Sequence, residues 1–316
     1  MENTPPIFGF VVPCYNEEEC ILETVKVLSE KISFLVSKNI VDKKSFCFFI
    51  DDGSKDKTWS LLRECASKNK FVKAIKLSSN IGHQKALFAG LNEIKKNVDC
   101  CVSIDADLQD DVDCVDKMLQ WYGEGYEVVL GVRKKRKSDS ILKRSTASFF
   151  YKLMKMLNIK TVENHADFRL LGKKSLEALT NHQEKNLFLR GMVIRMGFKT
   201  KEVYYDRKKR IAGVTKYPFK KMVSLAWEGI SSFSAFPMRL LAFIGIITMC
   251  VSFGVTLWAL ITFFSGRVVP GWTSTVVPIY FLGGVQMLGL GLLGEYIGKI
   301  YIEVKNRPHY FVEEEL

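Results

Sequence analysis

Residues 240–264 carry no charged side chain, and neither do residues 271–294. A helix needs roughly 20 apolar residues to cross the hydrocarbon core of a bilayer. Both stretches reach that length, so the sequence predicts two membrane helices. Residues 1–231, by contrast, mix charge with short apolar runs in the manner of a soluble α/β protein. The N-terminus is polar and enters that pattern within a few residues, unlike a signal peptide. The link between the helices, about residues 265–275, holds one charge, Arg267. Arg239 lies on one outer flank, and Lys299, Lys305 and Arg307 on the other. Basic residues are retained on the cytoplasmic side. Both termini are therefore expected in the cytoplasm, with the chain crossing the inner (plasma) membrane twice.

The formal charge of +12 is concentrated in two clusters, Arg133–Arg144 and Lys199–Lys221. A basic cluster is often only a solvated face. Just before a membrane helix it is expected to meet anionic lipid headgroups, at about 1 kcal/mol per basic residue. No recognised nucleic-acid motif accompanies the charge, so no nucleic-acid partner is expected. Phe219, Met222, Val223, Ala226, Trp227 and Ile230 form one helical stripe, with Lys220, Lys221, Ser224 and Glu228 off it. That spacing predicts an amphipathic interfacial helix over residues 216–236. The eight cysteines form no CxxC pair and several lie in apolar runs. They suit reduced, buried thiols better than a disulfide framework or a zinc site.

Ile7–Val12, Phe46–Ile50, Val72–Leu77 and Cys100–Ile104 are apolar runs of strand length, separated by helical stretches such as Glu17–Ser37 and His83–Lys96. Such alternation predicts a mostly parallel sheet with helices on both faces. Ligands then bind beyond the carboxyl ends of the strands. Three of those ends are polar: Pro13-Cys14-Tyr15-Asn16-Glu17, Asp51-Asp52-Gly53-Ser54 and Asp105-Ala106-Asp107-Leu108-Gln109. Any one of them could be ordinary turn chemistry. Three acidic ends on one sheet edge repel one another unless a cation offsets them. Asp105 and Asp107, two apart on an extended chain, point the same way. Mg²⁺ is commonly shared between one or two carboxylates and substrate phosphates. Mg²⁺ or Mn²⁺ at this turn is therefore expected, with Gln109 offering a further oxygen.

VVPCYNEEE, DDGSKD, SSNIGHQKALFAGL and DADLQD together resemble the inverting family 2 glycosyltransferases. ADFRLLGKKSLEAL, NLFLRGMV, DRKKRIAGVTKYPFKKM and GLLGEYIGKIYIEVKNRPHY narrow the likeness to the polyisoprenyl-phosphate transferases, in the bactoprenol glucosyltransferase branch. Dolichol-phosphate mannose synthase is a more distant cousin. The resemblance implies a GT-A (Rossmann-like) domain over residues 1–215, a juxtamembrane helix over 216–236, two membrane helices over 237–302 and a cytoplasmic tail over 303–316. It implies that Pro13, Tyr15, Glu17, Asp52, Lys85, Asp105 and Asp107 bind the nucleotide-sugar. Asp107 and Gln109 would hold the metal. Arg133, Arg144, Arg207, Arg210 and Lys216 would meet the donor or acceptor phosphates. Asp167 matches the residue proposed as catalytic base. A homo-oligomer, tetrameric in similar proteins, is also implied.

The expected reaction transfers a sugar, glucose by resemblance, from a UDP-sugar to polyprenyl (undecaprenyl) phosphate with inversion. A processive polysaccharide synthase would bring a QxxRW segment and more membrane helices, and a non-enzymatic scaffold would need no intact acidic set. The physical chemistry of the acceptor argues against the usual role for Asp167. A phosphate monoester has a second pKa near ~6 and is mostly dianionic at neutral pH, so it has little proton to give up. Asp167 is expected to orient a sugar hydroxyl, Arg169 or nearby basic side chains instead.

Overall fold

The structure, a computed structural model, describes residues 4–134, 165–182, 184, 187–206, 236–265 and 271–316. It divides into two compact units, residues 1–219 with 307–316, and residues 220–306.

The first unit is built on an eight-stranded sheet ordered β7-β5-β6-β4-β1-β2-β3-β8. Strands β1 (Phe8–Cys14), β2 (Phe46–Asp51), β3 (Val72–Leu77) and β4 (Cys100–Ser103) are parallel neighbours. Every residue of β1 and β2 is buried. Strands covered on both faces need continuous apolar runs rather than alternation, which FGFVVPC and FCFFID supply. Beyond β4 the sheet turns mixed. β6 (His165–Gly172) runs antiparallel to both β4 and β5 (Val128–Arg133), and β7 (Thr200–Tyr205) is parallel to β5.

Helices cover both faces. On one side lie α1 (Ile21–Ser37), α2 (Thr58–Lys68) and α4 (Cys114–Gly123), packed on a core that includes Phe10, Val12, Phe49, Val102 and Phe168. Helix α1 buries Ile21, Val25, Leu28, Ile32 and Leu35, the i, i+4, i+7 stripe of a core-facing helix. On the other side lie α3 (His83–Ile94), α5 (Lys173–Thr180) and α6 (Leu189–Arg195). Gly90 brings α3 hard against the sheet: a methyl group there would lie 2.3 Å from Ile50 Cδ1 and 2.8 Å from Val11 Cγ1.

The expected parallel α/β layering is thus found, and six of the eight cysteines (14, 20, 47, 100, 101 and 114) are buried. One element differs from expectation. Residues expected as a tail form β8 (Val312–Glu315), antiparallel to β3 at the sheet edge.

In the second unit, α7 (Phe236–Phe264) has 29 residues and α8 (Trp272–Lys305) has 34. Helix α8 runs past the expected boundary at 302 and is closed by Asn306 in the left-handed conformation, φ 42°. Large apolar side chains stand exposed on both, among them Phe253, Trp258, Phe264, Met287 and Leu288. Among the described residues one stretch, Phe281–Lys305, is long and apolar enough to cross a membrane by length and composition. The juxtamembrane helix expected over 216–236 lies outside the described residues except for Phe236, which opens α7.

Candidate active site

The order β4-β1-β2 brings the three acidic strand ends side by side. The turns after β1 and β2 are sewn together. Asn16, at φ 53°, donates its N–H to Ser54 Oγ at 2.9 Å, and its Oδ1 accepts from Lys55 N–H at 2.8 Å. Glu17 N–H donates to Thr58 Oγ1 at 2.9 Å. These bonds hold the turn that follows Pro13 and leave Tyr15 exposed.

Asp52 is buried, and its carboxylate accepts the N–H groups of Ile81 and Gly82 at 2.8 and 2.9 Å. Burial pushes its pKa up, and the two amides only partly offset that. Asp52 thus shapes the loop between β3 and α3. Gly53, at φ 66°, lets that loop pass so close that a Cβ would lie 2.7 Å from the Ser79 carbonyl carbon.

After β4 the chain turns sharply. Leu108 sits at φ 51° with its side chain buried, a backbone state that holds only where the surroundings enforce it. Asp107 Oδ1 accepts the Gln109 N–H at 3.2 Å, and Thr24 Oγ1 ties the Ala106 carbonyl to α1 at 2.6 Å. Asp110 is buried and accepts hydrogen bonds from Tyr205 Oη and, at 3.1 Å, from Arg133 Nη2. Arg133 Nε also donates to Tyr205 Oη at 3.1 Å. Arg133, expected at a phosphate, therefore cross-links β5, β7 and the turn after β4.

Facing this acidic edge is a basic cluster around Asp167, in the middle of β6. Asp167 accepts from Arg169 Nη2 and from Arg190, whose Nη2 and Nε lie 2.8 and 3.3 Å from its two oxygens. Arg190 is the second residue of α6. The start of that helix is fixed by Leu189 N–H donating to Gln84 Oε1 at 3.0 Å. His83, one residue before Gln84, stands between the two halves, its Nε2 3.5 Å from Asp105 Oδ1 and 3.7 Å from Asp167 Oδ2.

The electrostatics of the halves are opposite. Burial raises Asp105, His83 lowers it, and Asp110, Asp167 and Asp107 raise it again, leaving it at about 6. Burial would also raise Asp167, but Arg190, His83 and Arg169 outweigh it and hold the carboxyl well below its ordinary range. His83 loses to burial and gains more from Asp167 and Asp105, rising to about 9. Arg169 is 2% exposed, and its Nε and Nη1 are buried with no hydrogen-bond partner among the described residues.

Oxygen donors two residues apart, with surplus negative charge around them, fit a hard divalent cation. Among the described residues no group of three or more His, Cys, Asp or Glu side chains is placed to hold a metal alone. A cation at Asp107 and Gln109 would complete its shell from substrate phosphate and water.

Of the residues expected from sequence, Pro13, Tyr15, Glu17, Asp52, Asp105, Asp107, Gln109 and Asp167 lie at this edge. Lys85 is exposed in the first turn of α3. Arg144, Arg207, Arg210 and Lys216 lie outside the described residues. Arg190 and the Asp110–Tyr205 pair were not anticipated. The NLFLRGMV segment was the available signal for Arg190, but spacing alone does not place its arginine against Asp167.

Residues 10–180 match the family described as "Glycosyl transferase family 2". The chain is 48% identical over its whole length to "Uncharacterized glycosyltransferase YkoT" of Bacillus subtilis, covering 94% of that protein. It is 41% identical to "Prophage bactoprenol glucosyl transferase homolog" of Escherichia coli, over 96% of this chain and 98% of the relative. Among solved structures it resembles glucosyl-3-phosphoglycerate synthase from Mycobacterium tuberculosis in complex with Mn²⁺, UDP and glucosyl-3-phosphoglycerate. That likeness has a TM-score of 0.47 and 17% identity, over 72% of this chain and 79% of the other. The chain belongs to glycosyl transferase family 2, in the branch that holds the bactoprenol glucosyl transferases.

Proposed function

We propose that this enzyme transfers glucose from UDP-glucose to polyprenyl phosphate, with inversion, at the cytoplasmic face of a membrane that it crosses twice. The observation that carries the reading is the opposition of an acidic strand edge to an arginine-clamped carboxylate, with His83 between them. A nucleotide-sugar donor and a phosphate acceptor both arrive as anions and repel each other. Asp107 and Gln109 on the acidic edge would hold Mg²⁺ or Mn²⁺ against the donor diphosphate, and the bound ion would supply neutralisation of the charge left on UDP. Arg190, whose side chain is partly exposed, is set toward the acceptor, where a guanidinium fork suits phosphate oxygens, while Arg169 is buried beside Asp167. Asp167 aims both arginines. Burial would raise its carboxyl, but Arg190, His83 and Arg169 hold it below the ordinary carboxylate range, and a largely dianionic phosphate needs no base. The glucosyl and bactoprenol parts of the reading are supported by the names of relatives near 40% identity.

The two-crossing anchor is supported by chain connectivity. β7 and β8 belong to one sheet, so the segment joining them leaves and returns on the same side and crosses an even number of times. If α8 crosses, a second crossing is needed. α7, 29 residues long and so about 44 Å at 1.5 Å per residue, is long enough to supply it. The exposed apolar side chains on both helices suit contact with lipid.

Radiolabelled UDP-glucose and undecaprenyl phosphate, incubated with purified protein, should yield a lipid-phosphate monosaccharide and UDP. Label entering a polymer, or transfer from a different sugar nucleotide in a panel of UDP- and GDP-sugars, would replace this reading. Cysteines introduced at Ser265 or Ser274 should react with an impermeant reagent in intact cells, and one at Ser138 should not. The reverse pattern would overturn the orientation.

A further inference from the structure

We infer that the segment His309–Leu316 is a positioning strap for the donor site, gripping the loop after β3 from both of its ends. The inference rests on the donor site proposed above. Leu316 exchanges backbone hydrogen bonds with Ala74, N–H to Ala74 O at 2.8 Å and from Ala74 N–H at 3.3 Å. Ser78, the first residue after β3, donates its N–H to Phe311 O at 3.0 Å. Side chains lock this pairing. Glu314 accepts from Trp59 Nε1 at 2.8 Å and pairs with Arg63 at 2.5 Å, while Glu313 pairs with Lys76 at 2.8 Å. The strap then reaches over to α3. Tyr310 Oη accepts from Asn92 Nδ2 at 2.7 Å and donates to Glu93 Oε1 at 2.6 Å, and the rings of His309 and Phe88 lie 5.1 Å apart.

Between these two grips lie residues 79–83. They include the Ile81 and Gly82 amides that bind Asp52 and the His83 ring that faces Asp105 and Asp167. The strap fixes β3 before this loop and α3 after it. Only Arg307 and Pro308 separate it from the Asn306 cap of α8. An edge strand also shields an open ladder from other chains, but shielding alone predicts no effect on nucleotide affinity.

The test measures UDP affinity in Mn²⁺ by calorimetry on the detergent-solubilised full chain and on a chain ending at Pro308. The shortened chain should bind about tenfold more weakly, the scale of an ordinary coupling between sites. A synthetic HYFVEEEL peptide should restore binding in trans by strand addition. Amide exchange at Ile81 and Gly82 should quicken on truncation and slow again with peptide. Equal affinity in both chains, with the wild type binding UDP, overturns the strap. A wild type that binds no UDP overturns the donor-site reading instead. Should the shortened chain not fold, the decision passes to full-length Tyr310→Phe/Glu314→Gln. There, binding weakened about fivefold, the scale of one lost hydrogen bond, supports the inference, and unchanged binding overturns it.

Discussion

The turn after β4 and the middle of β6 both hold carboxylates, a partly exposed Asp105 and a buried Asp167, and the two have been driven in opposite directions. Burial raises Asp105, His83 pulls it back, and Asp110, Asp167 and Asp107 push it up again, to about 6. Asp167, clamped by Arg190 and Arg169, is pushed well below the usual range. One region has negative charge to spare and the other has guanidinium groups in excess of carboxylates. Burial raises both carboxyls, and the contrast teaches that the sign of the neighbours decides whether that rise stands, as at Asp105, or is overturned, as at Asp167. It also divides the labour of the site, with a cation drawn to one side and an anion to the other.

The largest expected effect removes the negative half. Asp107→Ala should lower transfer by about 10²–10³, the usual scale for losing stabilisation of a leaving group. EDTA should abolish activity and excess Mn²⁺ restore it. Full turnover in chelator would break the comparison outright. Next comes the positive half. Arg190→Ala should lower kcat/KM for the lipid phosphate about thirtyfold, the scale of one charged hydrogen bond, while UDP affinity stays near wild type. An equal loss on both substrates would mean that Arg190 supports the fold rather than the acceptor.

Asp167→Asn should be milder, about tenfold in kcat, with a pH–rate profile of unchanged shape. A wild-type acidic limb that vanishes in the variant, with activity regained at high pH, would make Asp167 a base. The depressed pKa carries a stability sign as well. The ionised group stabilises the fold above the ordinary carboxylate range near ~4, and that contribution fades as pH falls through the depressed value. The gap in thermal midpoint between wild type and Asp167→Asn should therefore narrow on acidification below about pH 4. Smallest of all, His83→Asn should cost about fivefold, because His83 touches both halves without being the sole partner of either.

The sequence made the centre of the fold legible because parallel strands buried on both faces must be continuous apolar runs. β1, β2, β3 and β4 were found within a residue or two of their observed ends. The acidic strand ends were legible for the same reason, since each follows directly from a strand. What lay hidden depends on contacts made far along the chain. VEEE carries no strand signal, and β8 exists because Trp59, Arg63 and Lys76 await its glutamates. Arg190 reaches Asp167 only because Gln84 pins the start of α6. Arg133 is placed at phosphate by resemblance alone, and its bonds to the buried Asp110 and to Tyr205 depend on residues far apart in the chain.

Helix α3 can be treated as a lever. Its fulcrum is Gly90, pressed against Ile50 and Val11, where no added methyl group fits without displacement. His83 stands seven residues away, about 10 Å at 1.5 Å per residue. Tilting the helix by about 10° around that point would swing His83 by almost 2 Å on the same geometry. A misplacement of even about 1 Å can cost a hundredfold in rate. A hydrogen atom in place of a side chain at Gly90, where α3 rests on the central strands β1 and β2, thereby sets the tolerance to which the catalytic gap is machined.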